Sequence, residues 1–188
     1  TNTTIGWDAS QGALTDTGRD LDVGINGAGW IAVQGADGRE AYTRAGDLHI
    51  EPTGMLKNGA GLQVMGEGGP ISVPPHTSLM IAADGTISIV PVGQGPETTS
   101  QVGRIKLVNP PAESLVRGDD GLFRVNDGTD APADANVRVA SGVLETSNVN
   151  VADAMVNMIE LSRHFDLQVK AMRTAEENAA ASAQLLKA

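Results

Sequence analysis

Three histidines, His49, His76 and His164, are the side chains here best suited to proton transfer or metal ligation. They fall in three separate predicted elements. Only His164 has a carboxylate at helical spacing, Glu160 four residues earlier. Such a pair on a helix reads as a solvated contact rather than a ligand set. No Gly-x-Ser-x-Gly appears, so a hydrolase nucleophile elbow is not indicated. The glycine clusters Gly24-Ile-Asn-Gly27-Ala-Gly29 and Gly66-Glu-Gly68-Gly69 match no P-loop and open no predicted helix. The geometry that cradles phosphate at a helix N-terminus is therefore missing. Asp119-Asp120-Gly121 and Asp127-Gly-Thr-Asp130 lack the alternating oxygen ligands and closing Glu of an EF-hand, and hairpin turns account for them better. The residues indicate no catalytic group, no cofactor and no metal.

Composition narrows the partners. The 188 residues are 40% apolar, enough for a core, but only 3% aromatic, which disfavours a stacking surface for single-stranded nucleic acid. The net charge is −10, and most of it lies before residue 151. An acidic body argues against binding DNA or anionic membrane through a basic patch. The absence of cysteine excludes disulfides and zinc–sulfur sites within these residues. No apolar stretch approaches the length of a bilayer span. The sequence opens at Thr1 rather than Met, as expected of a processed chain or a piece of a longer one.

The elements divide into two regimes. All 23 Gly and all 9 Pro lie at or before Gly142, and residues 151–188 contain neither. In the first regime short apolar runs alternate with Asn-Gly and Asp-Gly pairs. These pairs favour the positive-φ turns that suit hairpin twist. Strands are predicted at 21–25, 30–34, 40–44, 48–50, 55–56, 62–65, 71–73, 79–82, 86–90, 104–108, 122–125, 137–139 and 143–145. Residues 91–101 and 126–136 read as exposed loops. The expected fold is mainly antiparallel β, a Gly-rich barrel- or sandwich-like body, followed by one long C-terminal helix. The expected domains are an extended segment at 1–20, the body at 21–145 and a coiled-coil-type helix at 146–188.

Asn150 is placed to cap that helix, with Asp153 at its third position. An apolar seam at 3-4 spacing follows: Met155, Met158, Ser162, Phe165, Val169, Met172, then Glu176, Ala179, Ala183 and Leu186. Ile159 and Leu161 widen its first half. After Thr174 the seam is Ala-rich and buries little, so that end is expected to fray without partners. A helix of this length has little to pack against in so small a body, which suggests an intermolecular role.

The passage Leu144-Glu-Thr-Ser-Asn-Val-Asn150, with Met155-Val156, Met158-Ile159, Arg163, Phe165, Thr174 and Glu176, resembles the C-terminal signature of bacterial flagellar axial proteins, the rod and hook family. Leu21-Asp-Val-Gly24-Ile-Asn-Gly27 resembles a family strand that usually carries Ala where Gly24 stands. Trp30 to Gln34, Tyr42-Thr-Arg44-Ala-Gly46 and Asp84-Gly-Thr86-Ile-Ser88 resemble further family segments. Within the family, Val102 to Val108 and Gly118 to Arg124 look most like the proximal rod subunit, with the distal rod or hook subunit as alternatives. A secreted β-rich binding or stalk module is the alternative of another class.

The resemblance implies a structural, non-enzymatic subunit of the basal-body rod. It implies export by the flagellar secretion apparatus and assembly with other axial proteins and its own copies into a torque-transmitting helical tube. Nucleic acid, membrane insertion and small-molecule substrates are not expected. The family's N-terminal helix, which pairs with the C-terminal one, has no counterpart in these residues. The implied assembly residues are Ser147, Asn148, Val149 and Asn150, which set how the helix leaves the body, and Met155, Met158, Phe165, Val169 and Met172 as packing knobs.

Overall fold

The computed structural model describes residues 10–147 and 151–186, and side chains are described in the helix from 158 onward. By packing, the chain divides into two units, Thr1–Thr146 and Ser147–Ala188.

Every strand pair of the first unit is antiparallel, and one 3-10 turn, Ala112–Ser114, interrupts the strands. Its strands are β1 (Leu14–Asp16), β2 (Val23–Asn26), β3 (Trp30–Gln34), β4 (Glu40–Thr43), β5 (Leu48–Ile50), β6 (Leu56–Asn58), β7 (Gln63–Gly66) and β8 (Gly69–Pro70). They continue with β9 (His76–Ile81), β10 (Thr86–Pro91), β11 (Ser100–Arg104), β12 (Leu107–Val108), β13 (Leu115–Arg117), β14 (Phe123–Val125), β15 (Arg138–Ser141) and β16 (Val143–Glu145). The largest sheet runs β13-β14-β4-β3-β7-β6-β5, with β12 also on β3 and β8 on β7. β3 is its centre. β4 pairs along one side of it, while β12 covers Trp30 and Ile31 and β7 covers Val33 and Gln34 on the other. Three smaller sheets complete the unit: β11-β10-β9, β15-β2 and β1-β16.

Period-2 alternation explains why β3 and β4 are buried on both faces. Ile31, Val33 and Ala41 point into the larger apolar cluster with Val23, Ile25, Leu48, Leu56, Val64, Ile87, Ile89 and Ile105. Ala32 and Tyr42 point the other way, into a smaller cluster with Val108, Leu115 and Ala131. Each fully buried Ile or Leu is worth roughly 1.5–3 kcal/mol. Glycines set the turns: Gly85, at φ +86°, closes the hairpin between β9 and β10.

Several predicted boundaries move. Residues 71–73 make one isolated bridge, Met55 with Ser72, instead of a strand, although Ile71 and Val73 are buried. The run 104–108 divides between β11 and β12 because the Ile105 N–H donates to the Gly85 carbonyl in the hairpin turn, at 2.9 Å, instead of to a strand partner. β11 begins at Ser100, inside the predicted 91–101 loop, and the 126–136 loop buries Ala131. β1, β8 and β13 are not among the predicted strands.

The second unit is one helix, α1 (Val151–Leu185), 35 residues and about 52 Å long at 1.5 Å per residue. It includes the Ala-rich end after Thr174. Alanine has the highest intrinsic helix propensity, which compensates locally for the little area it buries. Among the described residues no helix is long and apolar enough to cross a membrane.

Candidate assembly surface

Every described side chain of α1, from Met158 to Leu185, is exposed, as is Leu186 after it. Large apolar groups are among them: Met158 is 74% accessible, Phe165 67%, Met172 68% and Val169 37%. At about 100° per residue, these four and Leu161 fall within a stripe roughly 80° wide. Neighbours three and four apart on such a stripe lie about 5–6 Å apart at Cβ, so they form one continuous ridge. Glu176 continues the same line, followed by Ala179 and Ala183. Ile159 and Leu167, also exposed, lie well off this stripe. Leu167 was missed by seam reasoning because it sits outside the 3-4 spacing, so only a search for isolated apolar residues on the polar face would find it.

The other expected assembly residues divide sharply. Ser147 is exposed and follows directly on β16 and Thr146. Met155 lies within the helical backbone, but its side chain falls outside the described residues, as do Asn148, Val149 and Asn150 entirely. The helix cap expected at Asn150 therefore also lies outside them.

A second constellation was not anticipated. β16, the strand that leads to Ser147, pairs with β1 in the register Leu14–Glu145, Thr15–Leu144 and Asp16–Val143. Thr146 extends this ladder, its N–H donating to the Ala13 carbonyl at 2.8 Å and its Oγ1 at 3.0 Å. Glu145 is 10% exposed, and both of its carboxylate oxygens are occupied. Oε1 accepts the Gly12 N–H at 2.8 Å, and Oε2 accepts Arg44 Nε at 2.6 Å. The remaining guanidinium donors reach the carbonyls of Gly29 at 2.7 Å and Gly27 at 3.2 Å. The Trp30 ring lies 6.0 Å from the Arg44 guanidinium carbon. The pair spans 101 residues of sequence, and no local pattern signals it.

The electrostatics elsewhere are those of a structural surface. Lys106 Nζ meets Glu40 Oε1 at 2.7 Å, both mostly buried. Tyr42 donates to the same Glu40 oxygen, and burial pushes its phenol well above the usual range. His49 and His76 lie on β5 and β9 of different sheets, and His164 on α1. Among the described residues, no group of three or more His, Asp or Glu is arranged to hold a metal.

Comparison with known proteins matches both units. Residues 24–89 match the family described as the flagellar hook protein FlgE/F/G D1 domain. Residues 140–185 match the flagellar basal body rod FlgEFG protein C-terminal family, a span that holds Glu145, Ser147 and all of α1. The chain is 45% identical over 192 residues to the flagellar basal-body rod protein FlgF of Escherichia coli (strain K12), covering 99% of this chain and 76% of that protein. The FlgF of Salmonella typhimurium matches at the same identity and coverage. The rod protein FlgG of Bacillus subtilis (strain 168) is 34% identical over 177 residues, covering 89% of this chain and 66% of that protein. With body and helix each matched and almost its whole length aligned to rod proteins, the chain belongs to the flagellar FlgE/F/G family and is a structural subunit of the basal-body rod.

Proposed function

We propose that this subunit is of the proximal rod type and that the exposed ridge of α1 is its assembly surface. In this account Met158, Phe165, Val169 and Met172, with Met155 continuing the ridge, pack against helices of neighbouring axial subunits and of its own copies. Ser147 to Asn150 form the joint between body and helix. Residues 1–20 connect, 21–145 form the outer layer, and 146–188 form the core of a helical tube that transmits torque. Head-to-tail contacts of this kind generate an open helical assembly rather than a closed ring. Export runs through the flagellum's own secretion apparatus.

The observation that carries the proposal is the ridge itself. Four large apolar side chains on one helical stripe stand in water, and burying each is worth roughly 1.5–3 kcal/mol. Two FlgF relatives at 45% identity stand above the FlgG relatives at 33–36%, which favours the proximal type over the distal, although other FlgF relatives are at 31% and 35%. A non-enzymatic role draws on the same relatives, which are named as rod proteins. The test is Phe165→Asp with Met172→Asp in the full-length protein. Swimming is expected to be lost while the purified protein keeps its β spectrum and melting transition. Normal swimming would sink the proposal.

A further inference from the structure

We infer that Arg44 and Glu145 are positioning residues for rod assembly: their half-buried pair fastens β16, the last strand of the body, to the β2–β3 turn. Load reaching the chain at Thr146 then passes into the core sheets instead of peeling β16 away. The inference rests on the reading that α1 is the part that packs into the rod.

By its ladder alone β16 is poorly secured. It has three residues and pairs only with β1, whose three residues are all exposed. A two-stranded ladder of this length is marginal in water. The strand is also where a pull on the following segment would first be felt. Val143 lies against Gly24 of β2, and the Gly142 N–H just ahead of β16 donates to the Asp22 carbonyl at 2.7 Å, but the tie at its far end, next to Thr146, is Glu145. One carboxylate joins three segments: Gly12 ahead of β1, its own strand, and, through Arg44, the carbonyls of Gly27 and Gly29. Arg44 follows directly on β4, in the largest sheet, so the pair bridges that sheet to the terminal ladder.

The chemistry demands arginine. Three acceptors in three directions suit a planar fork with fixed donors, and a lysine ammonium is a single point donor on a flexible stem. The same geometry separates positioning from stability. Replacing a buried ion pair by apolar side chains of similar volume is often neutral for folding, whereas removing one partner strands the other. Apolar replacement therefore deletes the fastening while keeping the fold.

The experiment compares full-length Arg44→Met/Glu145→Met, Arg44→Lys and Phe165→Asp/Met172→Asp for swimming. It also measures melting and amide exchange on the purified proteins. The double Met variant is expected to melt within about 4 °C of the parent. Its Gly12 and Thr146 amides are expected to exchange at least ~10-fold faster, with loss of swimming. Arg44→Lys keeps the charge and is expected to lose swimming as well. It carries the test should the double variant not accumulate. Parental swimming in either Arg44 variant, or unchanged exchange at Gly12 and Thr146, would overturn the inference. The Asp variant tells the two claims apart. If it swims normally, the assembly reading of α1 fails. If it is immotile while the Arg44 variants swim, the fastening alone fails.

Discussion

The Tyr42 hydroxyl accepts a 2.6 Å hydrogen bond from the Ala131 N–H and donates one of 3.0 Å to Glu40 Oε1. Tyr42 is 1% exposed and Ala131 3%, so water cannot replace either bond. The relationship pins the middle of an otherwise exposed loop to the central sheet. Tyr42→Phe leaves the Ala131 N–H buried without an acceptor. The expected cost is about 1–3 kcal/mol, read as a lower denaturant midpoint with an unchanged slope. An unchanged midpoint would show that the loop finds another acceptor.

Arg124 grips Asp120 with two bonds, Nη1 to Oδ1 at 3.1 Å and Nη2 to Oδ2 at 2.7 Å, and has Asp37 at 3.7 Å. The hydrogen bonds from Arg124 hold the Asp120 carboxyl down at about 2, against an ordinary 3.8. A depressed carboxyl contributes stability that is fully present above the unfolded value and is lost as pH falls through the folded one. Between pH 3.8 and about 2 the parent is therefore expected to lose stability more steeply than Arg124→Met. The side chain of Asp120 is 39% exposed, so the difference is expected to shrink in high salt. Acid titrations followed by urea unfolding provide the check, and parallel curves for the two proteins would contradict it.

Two glycines that look alike in sequence are expected to behave differently. A Cβ at Gly46 would stand 1.7 Å from the Val23 carbonyl oxygen, which is backbone and cannot move aside. Gly46→Ala is expected to destabilise by more than 2 kcal/mol, as overpacking against fixed atoms does, typically about 1–3 kcal/mol even in softer cores. A Cβ at Gly24 would meet Leu14 Cδ2 at 2.5 Å, the far end of a flexible side chain that is 40% exposed, and Val143 Cγ2 at 3.1 Å. Gly24→Ala is expected to change stability by less than about 1 kcal/mol, since Leu14 can turn away. Thermal melts of the two variants test the contrast, and equal losses would refute it.

These cases show where the sequence was informative. Local chemistry placed β3 at Trp30–Gln34 and β5 at Leu48–Ile50, because alternation and turn glycines act within a few residues. The continuous helix from Val151 followed from the absence of Gly and Pro beyond Gly142, and its apolar ridge from the 3-4 spacing of Met158, Phe165, Val169 and Met172. Long-range partners were not legible. Leu14–Asp16 is polar and glycine-flanked, and it becomes a strand only because Val143–Glu145 lies beside it. Arg44 and Glu145 look like ordinary surface charges until folding joins them across a separation of 101 positions.

The 188 residues contain no cysteine, so a thiol introduced among them is the only one they carry. The measurement that bears most directly on the central claim is maleimide labelling of Met172→Cys in the full-length protein, free and in purified basal bodies. Met172 is 68% exposed in the subunit, and rapid labelling of the free protein is expected. In assembled rods the thiol is expected to resist labelling and to react only after the rods are dissociated in detergent. Equal labelling rates in free and assembled protein would contradict the assignment of α1 to the contacts that build the rod.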